Sequence, residues 1–140
     1  MDLPILFSAA FLSATLLPGG SELVLLDMLR EGAQRPVLLW AVASAGNTLG
    51  GMTGWLLGRW SSRLARHRRR ELSAGDRRAR MRLRRWGAAA LLFSWVPIVG
   101  DPLCVAAGWL RTGFLATLGF IAVGKAARYG VMVIAVTWAL

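Results

Sequence analysis

The sequence contains one cysteine and one histidine, and this scarcity removes several kinds of functional site. Cys104 alone excludes an internal disulfide, and together with His67 it cannot complete the ligand set of a structural metal site. No Ser/His/Asp or Cys/His arrangement for nucleophilic catalysis is available either, because the histidine lies within a run of arginines. We therefore expect a protein that holds no metal and no cofactor and is not an enzyme.

Acidic residues are also scarce, with 7 Asp and Glu against 17 Lys and Arg. Twelve of the arginines lie between Arg59 and Arg85, and charged residues are few elsewhere. Even with this segment included, 56% of the chain is hydrophobic and its mean hydropathy is +0.51. This composition indicates a membrane protein, and the positive-inside rule places the basic segment in the cytoplasm. Ala79, Leu83 and Trp86 recur at helical spacing, so its second half fits an amphipathic helix on the membrane surface.

The basic segment invites a second interpretation, since a run of arginines also binds nucleic acid. The sequence offers no folded module that reads a nucleic acid, and only Trp60 and Trp86 flank the run. We expect the arginines to orient the protein and to contact anionic lipid head groups, with no nucleic-acid partner.

The first apolar stretch is too short to cross a membrane. Leu3–Leu17 would form a helix of about 22 Å, against a hydrocarbon core of about 30 Å. It ends at the break Pro18-Gly19-Gly20, after which a second short helix is predicted with Ser21 as N-cap and Glu22 in its first turn, ending near Gly32. Two short helices joined at a break predict a re-entrant hairpin, whose broken backbone must be buried in protein or line a wet cavity.

A full-length apolar segment follows, from Pro36 to Gly58, and is long enough to cross with some tilt. Glycines recur in it at every fourth position, so another helix can approach one face closely. These packing positions are Gly46, Gly50, Gly54 and Gly58. Asn47 lies beside them and needs a polar partner, either in a packing hydrogen bond or in a functional site.

The apolar run Trp86–Leu110 is interrupted at its middle by a second break. Pro97 and Pro102 each lack an N–H donor, Gly100 is conformationally permissive, and Asp101 brings a charge into a hydrocarbon environment. Neither half of the run can span alone, which predicts a second re-entrant hairpin.

The last apolar segment, Phe114–Leu140, is long enough to cross and carries Lys125, Arg128 and Tyr129 near its centre. Two cations near the bilayer midplane cost about 2.5–3.5 kcal/mol each, so they must face protein, water or a ligand. A second small-residue face is formed by Ala122, Ala126 and Gly130. Because four membrane elements make a thin bundle, we expect a homodimer through one of the small-residue faces.

The two halves of the chain share an order: short helix, break, short helix, polar turn, spanning helix. Both breaks read Pro-x-x-x-acid, from Pro18 to Glu22 and from Pro97 to Asp101. With the basic segment between them, the second unit enters from the opposite side, as in an inverted repeat. We predict one all-α integral membrane domain with two re-entrant helical hairpins and two long transmembrane helices, organised as residues 1–58, a basic loop 59–85 and residues 86–140. Four ordinary spans remain an alternative.

Four motifs, in this order along the chain, resemble those of the YqaA-like branch of the DedA family. DedA proteins are the bacterial members of the VTT or SNARE-associated Golgi protein superfamily. The motifs are Phe11-Leu-Ser-Ala-Thr-Leu-Leu-Pro-Gly-Gly-Ser-Glu22, Gly46-Asn-Thr-Leu-Gly-Gly51, Ser94-Trp-Val-Pro-Ile-Val-Gly-Asp101 and Gly124-Lys-Ala-Ala-Arg-Tyr129. The resemblance covers nearly all of the chain outside the basic loop and the termini. It implies a bacterial inner-membrane protein with opposed re-entrant hairpins that moves lipids such as undecaprenyl phosphate or phospholipids between leaflets, in some members coupled to proton motive force.

By this resemblance Glu22 and Asp101 are the hairpin acids. Many DedA members carry arginines around the second hairpin's proline where this chain has Ser94 and Gly100. If the family arginines bind a phosphate, this chain can bind the same substrate only where Lys125 and Arg128 replace them.

The leading hypothesis is a polar midplane cavity in which the two hairpin acids meet Lys125 and Arg128. The planar fork of Arg128 matches phosphate oxygens, Lys125 adds a second charge, and either acid is expected to bind a proton as the phosphate leaves. The predicted site residues are Glu22, Asn47, Asp101, Lys125, Arg128 and Tyr129. The alternatives are a proton-coupled transporter of a small ion or solute, a non-transporting assembly factor, and static ion pairs that only hold helices together.

Overall fold

The part of the chain that the structure describes is helical, in agreement with the all-α prediction. The computed structural model describes residues 3–15, 19–66, 78, 81, 85–86, 89–95 and 100–139, and no strand occurs among them. The helices are α1 (Leu3–Ser13), α2 (Gly20–Glu31), α3 (Pro36–Arg66), α4 (Gly100–Trp109) and α5 (Phe114–Ala139), with a 3-10 helix at Leu91–Trp95.

The first helix, α1, ends at Ser13, and Ala14 and Thr15 form a turn in which the Thr15 N–H donates to the Leu12 carbonyl over 3.1 Å. The predicted helix ran to Leu17, which lies with Pro18 outside the described residues. The described part of α1 is therefore about 16 Å long, again well short of a membrane span.

The second helix begins at Gly20, because Gly19 adopts a left-handed conformation with φ 102° and takes the N-cap position. The prediction that Ser21 caps α2 is wrong, since no side chain caps this helix and Ser21 lies inside its first turn. Glu22 is in the first turn as predicted. Gly32, with φ 64°, ends the helix where the sequence placed its end.

The third helix is longer than the predicted span. It has 31 residues, about 46 Å, and continues for eight residues past Gly58 into the basic segment. Residues 59–66 contain neither Gly nor Pro and are mostly good helix formers, so nothing in them stops the helix.

Of the described helices, only α5 has both the length and the apolarity of a membrane span. The apolar content of α3 is lower because its middle contains Asn47 with glycine, serine and threonine neighbours.

The fourth helix begins within the predicted second break. Gly100 is its first residue, and Asp101 and Pro102 follow in the first turn. Pro102 therefore does not interrupt a helix; its missing N–H falls where no intrahelical bond is needed. Pro97 lies outside the described residues. Arg111, with φ 59°, lies in the turn that leads into α5.

The central helix, α3, carries a short helix along each half of its length. Gly46 and Gly50 are so close to α1 that an added Cβ would lie 2.7 Å from the Phe7 and Phe11 carbonyl oxygens, respectively. Gly54 and Gly58 face α4, where a Cβ on Gly58 would overlap the Val105 carbonyl oxygen. Along α3, successive glycines contact successively later residues of α1 and then of α4. Both short helices therefore run parallel to α3.

Two apolar clusters form the core, one at each half of α3, and the antiparallel helix α5 contributes to both. The first joins α1, α2, α3 and α5 through Leu6, Leu25, Met28, Leu29, Leu39, Ala43, Tyr129 and Val133. The second joins α3, the 3-10 helix, α4 and α5 through Met52, Trp55, Leu91, Cys104, Ala107 and Ile121. Residues 122–128 of α5 therefore lie between the clusters.

Candidate functional site

The middle of α5 presents three polar side chains between the two apolar clusters. Lys125, Arg128 and Tyr129 are spaced three and four residues apart, which places them on one face of the helix. Lys125 and Tyr129 are buried and Arg128 is 11% exposed. Such groups inside an apolar helix need partners, because burial of an unpaired charge is costly.

The partner of Lys125 is Asp101, with Nζ 2.9 Å from Oδ1. The lysine side chain is 1% exposed and that of the aspartate 29%. Asp101 lies in the first turn of α4, where the helix dipole also favours a negative charge. The pair therefore ties the N-terminal end of α4 to the middle of α5.

Arg128 forms the second ion pair, between its Nη2 and Oε1 of Glu22. Glu22 lies in the first turn of α2, as Asp101 lies in the first turn of α4. The Arg128 guanidinium also lies over the Tyr129 ring, with Cζ 5.8 Å from the ring centroid. The N-terminal ends of α2 and α4 thus both meet α5, one acid to each cation.

Tyr129 is joined to Ser21 by a hydrogen bond of 2.7 Å between the two hydroxyl oxygens, and both residues are fully buried. Adjacent residues of α2, Ser21 and Glu22, therefore contact adjacent residues of α5, Tyr129 and Arg128. Sequence reasoning missed Ser21 as a site residue because it assigned Ser21 to the helix cap. In each of the two segments a residue with a hydroxyl group is next to a charged residue. That shared pattern is the sequence signal that could have identified the contact between Ser21 and Tyr129.

Asn47 contacts α1 and not the charged residues. Its Nδ2 donates to the Ala10 carbonyl over 2.9 Å, and the residue is 1% exposed. The other amide atom, Oδ1, has no hydrogen-bond partner among the described residues, and neither has Ser44 Oγ one turn earlier. Of the two alternatives left open by the sequence, the described contact is the packing hydrogen bond.

The predicted small-residue face of α5 is partly covered by α3. Trp40 donates its indole N–H to the Ala126 carbonyl over 2.8 Å, and its ring lies against Gly130. The remaining surface there is an apolar groove of about 390 Å³, bounded by Val37 and Ile134 among others.

A second polar cluster, absent from the predictions, lies where the turn before α5 meets α3. The Trp55 indole N–H donates to Thr112 Oγ1 over 3.1 Å, and Thr112 Oγ1 lies 2.7 Å from Thr117 Oγ1. All three residues are buried. These threonines follow the apolar run, and no sequence pattern linked Thr112 to a tryptophan 57 residues earlier.

Of the predicted site residues, the structure brings together Glu22, Asp101, Lys125, Arg128 and Tyr129. Gly19 and Gly20 lie three and two residues before Glu22, whereas Gly100 and Pro102 flank Asp101 inside α4. Pro18 and Pro97, and the side chain of Ser94, lie outside the described residues.

Comparison with known proteins gives close relatives but no family model and no solved structure that matches. The chain is 46% identical over 124 residues to the inner membrane protein YqaA of Escherichia coli strain K12, an alignment that covers 89% of this chain and 83% of that protein. The inner membrane protein YqaA of Shigella flexneri gives the same values. An uncharacterized protein of Haemophilus influenzae is 43% identical over 131 residues, covering 89% of this chain and 80% of the relative.

Proposed function

The chain belongs to the family of the inner membrane protein YqaA, and on that premise we propose a multi-pass protein of the bacterial inner membrane that moves a phosphate-bearing lipid between leaflets. The motif resemblance to the DedA family supports undecaprenyl phosphate or a phospholipid as the lipid. The proposed role is that of a flippase or scramblase, with proton coupling as a further element.

One observation carries this proposal: two cations in the middle of α5 are each held by an acid from a different short helix. Apolar side chains would pack α5 against α2 and α4 at no electrostatic cost, so the ion pairs are an expensive way to join helices. Arg128 and Lys125 lie side by side, and together they match the charge and planar geometry that recognise a phosphate.

The lengths and directions of the short helices support two re-entrant hairpins in an inverted repeat. The described parts of α1 and α4 are about 16 and 15 Å long, half of the hydrocarbon core. Both helices run parallel to α3, α1 along its first half and α4 along its second half. The C-terminal end of α1 and the N-terminal end of α4 therefore both lie near the middle of α3. With residues 67–85 in the cytoplasm, hairpins that enter from opposite sides account for both directions.

The mechanism that we propose exchanges partners at these cations. A lipid phosphate displaces the carboxylate of Glu22 from Arg128 or that of Asp101 from Lys125, and the displaced acid takes up a proton. Both carboxyl side chains are 29% exposed, so each is reachable from outside the bundle while the lysine remains buried. Release of the phosphate lets the acid lose its proton and re-form the ion pair. This order is the reverse of the one expected from the sequence, because a carboxylate paired with a cation keeps its charge and one that has lost its cation binds a proton more readily.

The proposal is tested by reconstituting the purified protein in liposomes with a panel of labelled lipids. Undecaprenyl phosphate, phosphatidylglycerol and phosphatidylcholine are compared by the fraction of label that becomes accessible to an impermeant quencher. Movement of a phosphate-bearing lipid above the level of empty vesicles is the expected result. Uptake of a water-soluble substrate with no lipid movement identifies the small-solute transporter instead.

A second candidate function is favoured by one observation: Lys125 and Arg128 are each paired with an acidic residue in the structure. In that case the pairs are static and the protein is a non-transporting assembly factor. Complementation by the double variant Asp101→Asn/Lys125→Met, which removes both members of one ion pair, distinguishes the two, provided that the variant is made and inserted normally. Full function of this variant identifies a static role, and its loss supports transport through the charged residues.

A further inference from the structure

A second cavity, separate from the ion pairs, lies between the C-terminal half of α3 and the turn before α5. It encloses about 470 Å³. Its lining combines arginines with aromatic rings, and no acidic residue occurs among the residues that line it. These residues are Trp55, Leu56, Arg59, Trp60, Arg63, Arg111, Gly113 and Phe114.

One wall of the cavity is held rigidly by Trp55. Its ring is 3% exposed, meets Phe114 edge-to-face with centroids 5.8 Å apart, and is fixed by the hydrogen bond to Thr112. Arg59, one turn further along α3, lies over this ring with Cζ 5.2 Å from the centroid. The guanidinium is therefore positioned against an aromatic surface before any ligand binds.

The cavity also has exposed apolar residues in its lining. Trp60 is 62% exposed, and Leu56, one turn before it, is also exposed. Arg63 follows Arg59 by one turn and is exposed as well. An occupant thus meets cations and an uncovered apolar surface in the same cavity, which is the chemistry of an amphipathic molecule with an anionic head.

The depth of the cavity fits the membrane interface. Phe114 is the first residue of α5, and Lys125 lies about 16 Å further along the helix axis. If the ion pairs lie at the midplane of a hydrocarbon core about 30 Å thick, the cavity lies at its boundary. Tryptophan and arginine are the side chains typical of that boundary.

We propose that this cavity binds the phosphate head group of an anionic lipid of the cytoplasmic leaflet. Arg59 and Arg63 contact the phosphate oxygens, and the acyl chains lie along Leu56 and Trp60. This goes beyond the general attraction of a basic segment for anionic lipid, because it assigns one site with a defined set of residues. It rests on the membrane placement given above and not on transport.

The test is native mass spectrometry of the full chain in detergent, titrated with phosphatidylglycerol or with phosphatidylcholine of the same acyl chains. Arg59→Gln/Arg63→Gln removes two cations from the cavity. The matched control, Arg30→Gln/Arg35→Gln, removes two from exposed positions at the α2–α3 turn. Arg59→Lys/Arg63→Lys keeps the charge and removes the planar fork.

We expect wild-type protein to bind phosphatidylglycerol in preference to phosphatidylcholine. The affinity should fall by about tenfold in the Gln pair, fall less in the Lys pair, and stay unchanged in the control. If the Gln pair is not folded, Arg63→Gln alone is measured, since Arg63 is exposed, and a loss of about threefold is expected.

Equal losses in the cavity and control variants would overturn the proposal, because they identify non-specific attraction. Unchanged affinity in the cavity variants would also overturn it. Displacement of the lipid by inorganic phosphate at equal concentration identifies a soluble anion as the occupant and overturns the lipid assignment. This experiment measures lipid binding at Arg59 and Arg63, so a positive result holds even if the protein transports no lipid. A negative result rejects the binding site alone, because transport through Arg128 is measured separately in liposomes.

Discussion

Lys125 and Asp101 form an ion pair across two helices, with 2.9 Å between Nζ and Oδ1 and only 1% of the lysine side chain exposed. Their chain positions are 24 residues apart, so the contact depends on the way in which α4 and α5 both pack against α3. The equivalent relationship between Arg128 and Glu22 involves the other short helix, α2. One face of α5 therefore holds the ends of two separate helices by charge.

Removing one member of the pair should cost more stability than removing both. Asp101→Asn leaves the buried ammonium of Lys125 without a counter-charge and is expected to lower the free energy of unfolding by about 3 kcal/mol. Adding Lys125→Met removes that charge and should restore most of the loss. Denaturation in mixed micelles measures both variants, and a double variant no more stable than Asp101→Asn would contradict the interpretation.

The close approach of α3 and α4 at Gly58 predicts a strong effect of one methyl group. In Gly58→Ala the added Cβ overlaps the Val105 carbonyl oxygen, so α4 must move, at a cost of about 1–3 kcal/mol. Gly119→Ala is the matched control, because a Cβ at Gly119 meets nothing within 4 Å. There the higher helix propensity of alanine should stabilise the protein by up to about 1 kcal/mol. Similar melting temperatures for the two variants would argue against the packing described.

Much of this architecture was predictable because apolar periodicity and chain breaks are local properties. The last helix was predicted from Phe114, where it begins, and its predicted end, Leu140, is the residue after the last described one. The end of α2 at Gly32 follows from the left-handed conformation that glycine adopts easily. The start of α2 was misplaced because Gly19 can cap a helix through backbone conformation alone, and no side-chain pattern reports that.

The pairing within the site was less predictable. Buried acids and cations in an apolar chain must find partners, so the sequence indicated that Glu22, Asp101, Lys125 and Arg128 meet. Which acid meets which cation depends on the register between helices far apart in the chain. The Ser21 contact depends on the same register, and the tryptophan and threonine cluster beside the second cavity had no sequence signal at all.

The buried hydroxyl pair of Ser21 and Tyr129 predicts a measurable coupling. Ser21→Ala and Tyr129→Phe should each lower the free energy of unfolding by about 1–2 kcal/mol, and the double variant should lose less than the sum of the two. Ser8→Ala is a control for the loss of a hydroxyl, since Ser8 is exposed and bonds only the Pro4 carbonyl of its own helix among the described residues. Strictly additive losses in the cycle would mean that the two hydroxyls do not interact.

The re-entrant arrangement makes a prediction about the turn before α5. In a Cys104→Ala background, Gly113→Cys should react with an impermeant maleimide only after permeabilisation, as Arg78→Cys in the basic segment should. Ala33→Cys, in the exposed turn after α2, should react in intact spheroplasts. Four ordinary spans would place Gly113 outside, so labelling of Gly113→Cys in intact spheroplasts would exclude the second hairpin.

The arginine at the site should be more than a positive charge. Arg128→Lys keeps the charge and the pair with Glu22 but loses the planar fork, so the protein should fold normally and move lipid about tenfold more slowly. The initial rate in liposomes measures this effect, with Arg30→Lys, an exposed position on α2, as the matched control. An unchanged rate in Arg128→Lys would assign the arginine a purely electrostatic role.

The central claim, that lipid moves through the charged face of α5, is tested most directly by the lipid-movement rate of wild type and Arg128→Ala in identical liposomes. We expect a wild-type rate clearly above that of empty vesicles and an Arg128→Ala rate at least about tenfold lower, at equal protein incorporation. If both proteins move lipid no faster than empty vesicles do, or if both move it at the same raised rate, the claim is contradicted.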